Sequence, residues 1–417
     1  VTTSVPALTG HPTHSQAQRR ALAVLVAAQV LSGAGLAAGV AVGALLARDM
    51  LSSTSLAGLP SALGTAGSAV AAVIVGRVSQ TRGRRPGLAT GYLAGAVGSV
   101  GVIAAAVVGN PVLLFLALFV YGAGTATNLQ ARYAGADLAA PAHRARAVST
   151  VLVATTLGGV IGPNLAAPTG DLARALGIPY LAGPFLLAGA AYATAALVLT
   201  IWLRPDPLLL ARVLEAERTV ATSTQPGDDG DQPRVRRGGV LIGALVMVLT
   251  QLIMVAIMTM TPVHMHDHGH GAAASGLVIA IHIGAMYLPS PLTGRLVDRC
   301  GRLTIATASG LVLLAAGIVA ASAPADSVVP LSVALALLGL GWNFGLISGS
   351  AIITDAVPLA TRAKTQGLVD VAIAVAGSVG GMASGLVVAA TNFPTLALAG
   401  SLVAIALVGA IAVTRNR

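Results

Sequence analysis

Three ionisable residues stand inside otherwise apolar runs: Arg132, His282 and Asp370. At bilayer depth such a group costs ~2.5–3.5 kcal/mol on insertion scales, so each needs a role. Arg132 lies about one turn before the end of its run. As a fixed cation it attracts an anionic substrate or pairs with a titrating acid; the alternative is a snorkelling side chain that reaches the headgroups. His282 sits mid-run, and its unperturbed pKa of about 6.5 suits a proton relay, against the alternative of a neutral ring bonded to a neighbouring helix. Asp370 is the one acid well inside the apolar runs of the second half, which makes it the carboxylate candidate for proton binding. Its alternative is a helix-start charge favoured by the dipole. A fourth cluster, "HMHDHGH", places His264, His266, His268 and His270 at alternate positions. In an extended chain these point the same way and suit Zn, Ni or Cu, but no distant further ligand is evident, so a pH-responsive loop is the stronger reading.

The elements that must position these groups follow from composition. Of 417 residues, 55% are apolar and 9% charged, with a mean hydropathy of +0.85. Soluble domains carry roughly 25% charged residues, so a water-soluble enzyme is excluded. The single cysteine, Cys300, rules out a disulfide framework or a cysteine-based metal cage. Net charge is +10, but the basic residues sit in short tracts between apolar runs rather than on one face, which argues against nucleic acid. Runs long enough to cross a bilayer cover 21–47, 55–75, 87–108, 111–135, 147–169 and 179–203, then 239–262, 273–293, 303–323, 329–353, 367–390 and 394–414. Backbone groups in hydrocarbon must pair within their own segment, so the spans are helices, and nothing alternates as a β-barrel requires. The first run follows Arg19 and Arg20 and exceeds a signal core of ~7–15 residues, so it reads as a retained helix.

Of the 24 Lys and Arg residues, 21 fall on one side of this topology, with Arg48 and Arg174 opposite and Arg132 within a span. That bias places both termini and the even-numbered loops in the cytoplasm. The expected organisation is a cytoplasmic tail over 1–20, a six-helix bundle over 21–203, a linker over 204–238, a second bundle over 239–414 and a tail over 415–417. The linker carries "STQPGDDGDQPRVRR", a flexible composition.

The halves repeat. "GRVSQTRGRR" begins at Gly76 after the second span, and "GRLVDRCGRL" begins at Gly294 after the eighth, an offset of 218. Asp137 and Asp355 keep that offset, as do Arg144 and Arg362. Parallel six-helix repeats joined by a linker describe a two-bundle transporter. In these tracts Gly permits a tight turn, and a carboxylate faces a helix N-terminus or an Arg to hold one side shut. Asp298, Arg302 and Asp355 supply that latch in the second half. In the first half Gly83, Arg84 and Asp137 remain but Gln80 stands at the acid's position, and Asp370 is expected to substitute in part for the missing charge.

At these residues the chain resembles the major facilitator superfamily, whose signature after the second span is G-x-L-x-D-R-x-G-R-R. Gly76, Gly83 and Arg84 match in the first copy, and Gly294, Asp298, Gly301 and Arg302 in the second. The resemblance implies an all-α integral membrane fold of 12 transmembrane helices in two pseudo-symmetric six-helix bundles. It also implies a central cavity lined by spans one, four, seven and ten, which makes Gln29, Asn128, Arg132, Gln251, Trp342 and Asn343 the substrate-cavity candidates; interhelical hydrogen bonding is the competing role for each amide. Span five, "LGGVIGPNLAAP", resembles proton-exchanging drug exporters at Gly158, Gly162, Pro163 and Asn164, although Ala166 and Ala167 replace the usual glycines and Leu118 replaces an expected Arg.

No nucleotide-binding loop is present, so the proton gradient is the expected energy source, with no cofactor and no enzymatic activity. The function expected from the sequence is secondary active transport by alternating access: proton-coupled efflux of a small amphipathic compound by a monomer in the cell membrane. Uptake of a metabolite by proton symport is the alternative, and a non-transporting membrane sensor a remote one.

Overall fold

The computed structural model describes residues 14–51, 59–223, 235–324 and 327–415. Among them there is no strand, as expected where hydrocarbon leaves the backbone no external partner. The first bundle holds α1 (His14–Leu51), α2 (Leu59–Arg82), α3 (Arg84–Val108), α4 (Pro111–Ala136), α5 (Arg144–Asn164) continued by α6 (Ala166–Ala175), and α7 (Gly183–Trp202). A connecting helix, α8 (Pro207–Ser223), precedes the second bundle. That bundle holds α9 (Arg237–Asp267), α10 (Ala272–Tyr287) continued by α11 (Ser290–Cys300), α12 (Arg302–Ser322), α13 (Val328–Ala356), α14 (Arg362–Ala390) and α15 (Phe393–Arg415).

Ten helices among the described residues are long and apolar enough to cross a membrane. α1 and α5 pack against each other to complete the first bundle. Many large apolar side chains, among them Val97, Val100, Leu116, Leu386, Leu402 and Ile405, point outward. On a water-soluble protein such a belt is a liability; around a bundle of this kind it is the lipid-facing surface.

Two differences from the sequence reading matter. The tracts read as loops after spans two and eight are helical almost to their ends: α2 runs to Arg82 and α11 to Cys300. Each then reverses through one residue, Gly83 at φ +100° and Gly301 at φ +96°, in the left-handed half of backbone space where a Cβ clashes. Polar residues extended the helices beyond the apolar runs because a helix needs no apolar face once it emerges into water. The eighth span is also broken, ending α10 at Tyr287 and restarting α11 at Ser290 around Pro289.

The bundles meet along α2 against α14 and α5 against α11. Gly76 and Gly294, again 218 apart, make these crossings close. A Cβ on Gly76 would lie 3.1 Å from the Gly367 Cα, and one on Gly294 2.3 Å from the Ser149 hydroxyl. The apolar core of the second bundle continues without a break into Ala145, Val148 and Leu152 of α5.

Candidate functional site

The face that carries the basic turns is sealed by side chains arranged in two related sets. Asp137, following α4, accepts from Arg84 Nε at 2.7 Å and lies 4.0 Å from Arg362 of the other bundle. Asp355, near the end of α13, accepts from Arg302 Nε at 2.6 Å and from Arg144 of the other bundle at 2.5 Å. Each acid therefore grips one Arg of its own bundle and faces one from across the interface. Two helix starts are capped from the opposite bundle as well. Asp298 accepts the backbone N–H groups of Ala145 (3.1 Å) and Arg146 (3.0 Å) at the start of α5.

Gln80 takes the matching place at the start of α14, where Oε1 accepts the N–H groups of Ala363 (2.8 Å) and Lys364 (3.3 Å). Its Nε2 donates to the carbonyls of Leu359 (3.2 Å) and Ala360 (2.7 Å). The expectation that Asp370 makes up for a missing acid here is corrected: the amide itself does the capping, because an oxygen acceptor rather than a charge is what orphan N–H groups require.

Asp370 instead meets Arg132. The two residues come from α14 and α4, on opposite sides of the bundle interface, with Arg132 Nη2 2.8 Å from Asp370 Oδ1. Both side chains are buried. Arg132 Nε donates to Ser350 Oγ at 3.0 Å, Nη2 also donates to Tyr133 Oη at 2.8 Å, and Nη1 donates to the Leu129 carbonyl. Asp370 Oδ1 further accepts from Tyr133 Oη at 3.4 Å, while its Oδ2 is buried with no hydrogen-bond partner. A carboxylate with one committed and one free oxygen, next to a guanidinium whose three nitrogens all donate, is a site at which adding or removing one proton makes or breaks a link between bundles.

Tyr133 and Ser350 were not singled out from the sequence. Ser350 is the position 218 residues after Arg132, so the repeat itself contained the signal: related positions face each other across the pseudo-symmetry axis.

The amides divide into two groups. Gln29 and Asn128 are buried within the first bundle. Gln29 donates to Thr155 (3.0 Å) and to the Asn128 carbonyl (3.1 Å) and accepts from Tyr92 Oη (2.6 Å), while Asn128 donates to Ser32 (2.9 Å). These bonds tie α1 to α3, α4 and α5, so the two amides act here as interhelical bonds. Asn343 likewise donates to the Met286 carbonyl and Ser290 and accepts from Thr293, which fastens the break between α10 and α11 onto α13.

Trp342 and Gln251 behave differently. Trp342 Nε1 donates to Gln251 Oε1 at 2.7 Å, and the indole meets Tyr287 edge-on with centroids 5.6 Å apart. Tyr287 and Gln251 are half-buried and Trp342 is buried. The three form an aromatic and amide cluster on α9, α10 and α13, with Trp342 about 12 Å along α13 from Ser350, the partner of Arg132.

His282 is wholly buried, with Nδ1 2.9 Å from the Leu335 carbonyl of α13 and Nε2 without a partner. This is a bond to a neighbouring helix, and no second polar group among the described residues continues it as a relay. The outer His cluster is not one extended strand: His264 and His266 lie in the last turn of α9, His268 caps it, and His270 follows beyond the turn. Helical geometry turns alternate residues away from each other and brings i and i+4 together: His264 and His268 have centroids 4.3 Å apart, and His264 stacks on Phe393. No group of three His, Cys, Asp or Glu among the described residues could hold a metal. In span five, a Cβ on Gly158 would lie 2.2 Å from the Val30 carbonyl, so α5 crosses α1 closely there. The side chains of Gly162, Pro163 and Asn164 lie outside the described residues.

A family model described as Major Facilitator Superfamily matches residues 24–329 and 243–417. The uncharacterized MFS-type transporter YdeG of Bacillus subtilis (strain 168) is 53% identical over 403 residues, covering 96% of this chain and 93% of that protein. The riboflavin transporter RfnT of Brucella anthropi is 31% identical over 363 residues, covering 86% of each. Among solved structures, the human organic anion transporter MFSD10 (TETRAN) superposes with a TM-score of 0.75 at 15% identity, covering 96% of this chain and all of that one.

Proposed function

This chain belongs to the major facilitator superfamily, and on that premise we propose that it is a proton-coupled secondary transporter in which the Arg132–Asp370 pair joins proton binding to alternating access. The observation that carries the reading is the burial of this pair across the interface of two bundles that rock against each other. With Asp370 ionised, the pair and the sealed basic face hold one side shut. A proton on Asp370 removes the attraction and frees the bundles to open there.

The basic face is read as cytoplasmic, with both termini on it, from the same charge bias noted in the sequence. The structure then represents a state closed toward the cytoplasm. The protein acts in the cell membrane as a monomer. The substrate is a small amphipathic aromatic compound: Trp342, Tyr287 and Gln251 provide rings and an amide on the same helix, α13, that holds Ser350 against Arg132, or facing it, and one relative is named a riboflavin transporter.

Proton symport inward is the direction this geometry favours, since one event outside, protonation of Asp370, unlocks the inner face. Proton-driven efflux is the second reading, supported by the close α1–α5 crossing at Gly158 that matches the exporter-type motif. Proteoliposomes with an imposed pH gradient test both. Symport accumulates substrate on the alkaline side, efflux exchange accumulates it on the acidic side, and flux indifferent to the gradient overturns proton coupling.

A further inference from the structure

We propose that the Arg132–Asp370 centre binds its substrate as an anion together with a proton: the substrate is a small aromatic compound with one negative charge, which replaces the charge of Asp370 against Arg132. This rests on the proton-coupled reading above and adds to it the charge of the substrate and the sign of the coupling.

Ser350, Tyr133 and the Leu129 carbonyl bind Nε, Nη2 and Nη1 of Arg132, so the guanidinium keeps its place if Asp370 lets go. None of those three groups carries a negative charge. Among the described residues Asp370 is the one anion in contact with it, and a buried guanidinium left without a counter-charge is strongly disfavoured. Protonation of Asp370, whose Oδ2 has a free lone pair, therefore creates a vacancy for an anion. The two binding events favour each other: a proton on Asp370 improves anion binding at Arg132, and an anion there improves proton binding at Asp370, by the same factor.

Other charges near Asp370 do not supply the compensation. α4 presents Arg132 and Tyr133, and α3 contributes Arg84 from further away, itself engaged by Asp137. α2 carries the exposed Arg77 and Arg82, α13 carries Asp355 engaged by Arg144 and Arg302, and the ionisable residues of α9 and α15 stand at their ends. A cationic substrate would meet Arg132 and be repelled. The ring of the substrate has a partner in the Tyr287–Trp342 pair, since Trp342 stands on α13 about 12 Å along the helix from Ser350, which holds Arg132.

The test uses the purified full chain in weakly buffered detergent solution with a pH indicator, and three probes of one shape: benzoate, benzamide and benzyltrimethylammonium. The expected result is uptake of about one proton per benzoate bound, with affinity tightening by up to about tenfold for each pH unit of acidification, and no proton exchange with benzamide. A second measurement needs no natural substrate. Asp370→Asn leaves Arg132 uncompensated, so nitrate or benzoate is expected to raise its melting temperature at pH 7.5, where the wild type responds only at acid pH. The double variant Arg132→Gln/Asp370→Asn is expected to ignore both anions, and it remains available if the single variant folds poorly. Proton release on binding of benzyltrimethylammonium, abolished in Asp370→Asn, would overturn the anion proposal and leave proton coupling standing. No proton exchange with any probe, together with no anion effect on Asp370→Asn, would overturn both.

Discussion

A guanidinium and a carboxylate buried together stabilise a fold only as a pair; either one alone is a buried charge without a partner. Arg132→Gln and Asp370→Asn are each expected to lower stability by roughly 3–5 kcal/mol, and the double variant by less than the sum, which thermal denaturation in detergent measures. Additive losses would show that the two side chains are not coupled. At Gln80 the expectation concerns hydrogen bonds. Gln80→Glu keeps the acceptor for the Ala363 and Lys364 N–H groups but loses the donor to the Leu359 and Ala360 carbonyls. Gln80→Leu loses both, and is expected to raise the reactivity of a cysteine placed on the basic face more than Gln80→Glu does. Sequence reasoning singled out Arg132 and Asp370 because an ionisable side chain in an apolar run is conspicuous. It did not find that they touch, since nothing local to residue 132 reports on residue 370. Gln29, Asn128 and Asn343 show the reverse: polarity in a span marks an important residue without saying whether it faces a cavity or another helix.

At the scale of the helix, the turns at Gly83 and Gly301 and the connecting helix α8 set how the basic face closes. Gly301→Ala forces an L side chain into the left-handed region, at about 1–2 kcal/mol, and is expected to lower the melting temperature without displacing other atoms, since nothing but Thr304 lies near its Cβ position. α8 lies within 204–238, the stretch read from sequence as a linker. In the fold its Leu208 and Ala211 are buried with Ala17 and Leu138 of one bundle and Leu359 and Ala363 of the other. Arg212 donates from Nη2 to the Gln80 carbonyl at 2.8 Å and to the Leu359 carbonyl at 3.4 Å, so one side chain spans the interface. Arg212→Ala is expected to weaken closure of the basic face, seen as faster alkylation of a cysteine there. An unchanged rate would reduce α8 to a passive cover. The existence of the spans was legible from hydropathy because bilayer thickness imposes length; helix ends, the break at Pro289 and the end of α9 within the His cluster were not, because polar residues beyond the hydrocarbon obey local capping instead.

At the scale of the molecule, the 218-residue offset is the most informative feature of the sequence. It relates Arg84 to Arg302, Asp137 to Asp355, Arg144 to Arg362 and Gln80 to Asp298, and the fold turns those relations into a two-fold set of contacts on one face. The ion pair breaks that symmetry: the counterparts of Arg132 and Asp370 are Ser350 and Leu152, neither of which titrates. Symmetry thus builds the two halves, and the asymmetric pair is the place where the proposed proton coupling would act. The most direct test measures distance across the basic face. With Cys300→Ser removing the exposed native thiol, spin labels at Arg82→Cys and Arg299→Cys report the separation of the α2 and α11 ends. The expected result is a short distance at pH 8, a population of longer distances on acidification, and the longer distances at both pH values when Asp370→Asn is added. A wild-type distance that ignores pH, or an Asp370→Asn protein that stays closed, would contradict the assignment of this pair as the link between proton and motion.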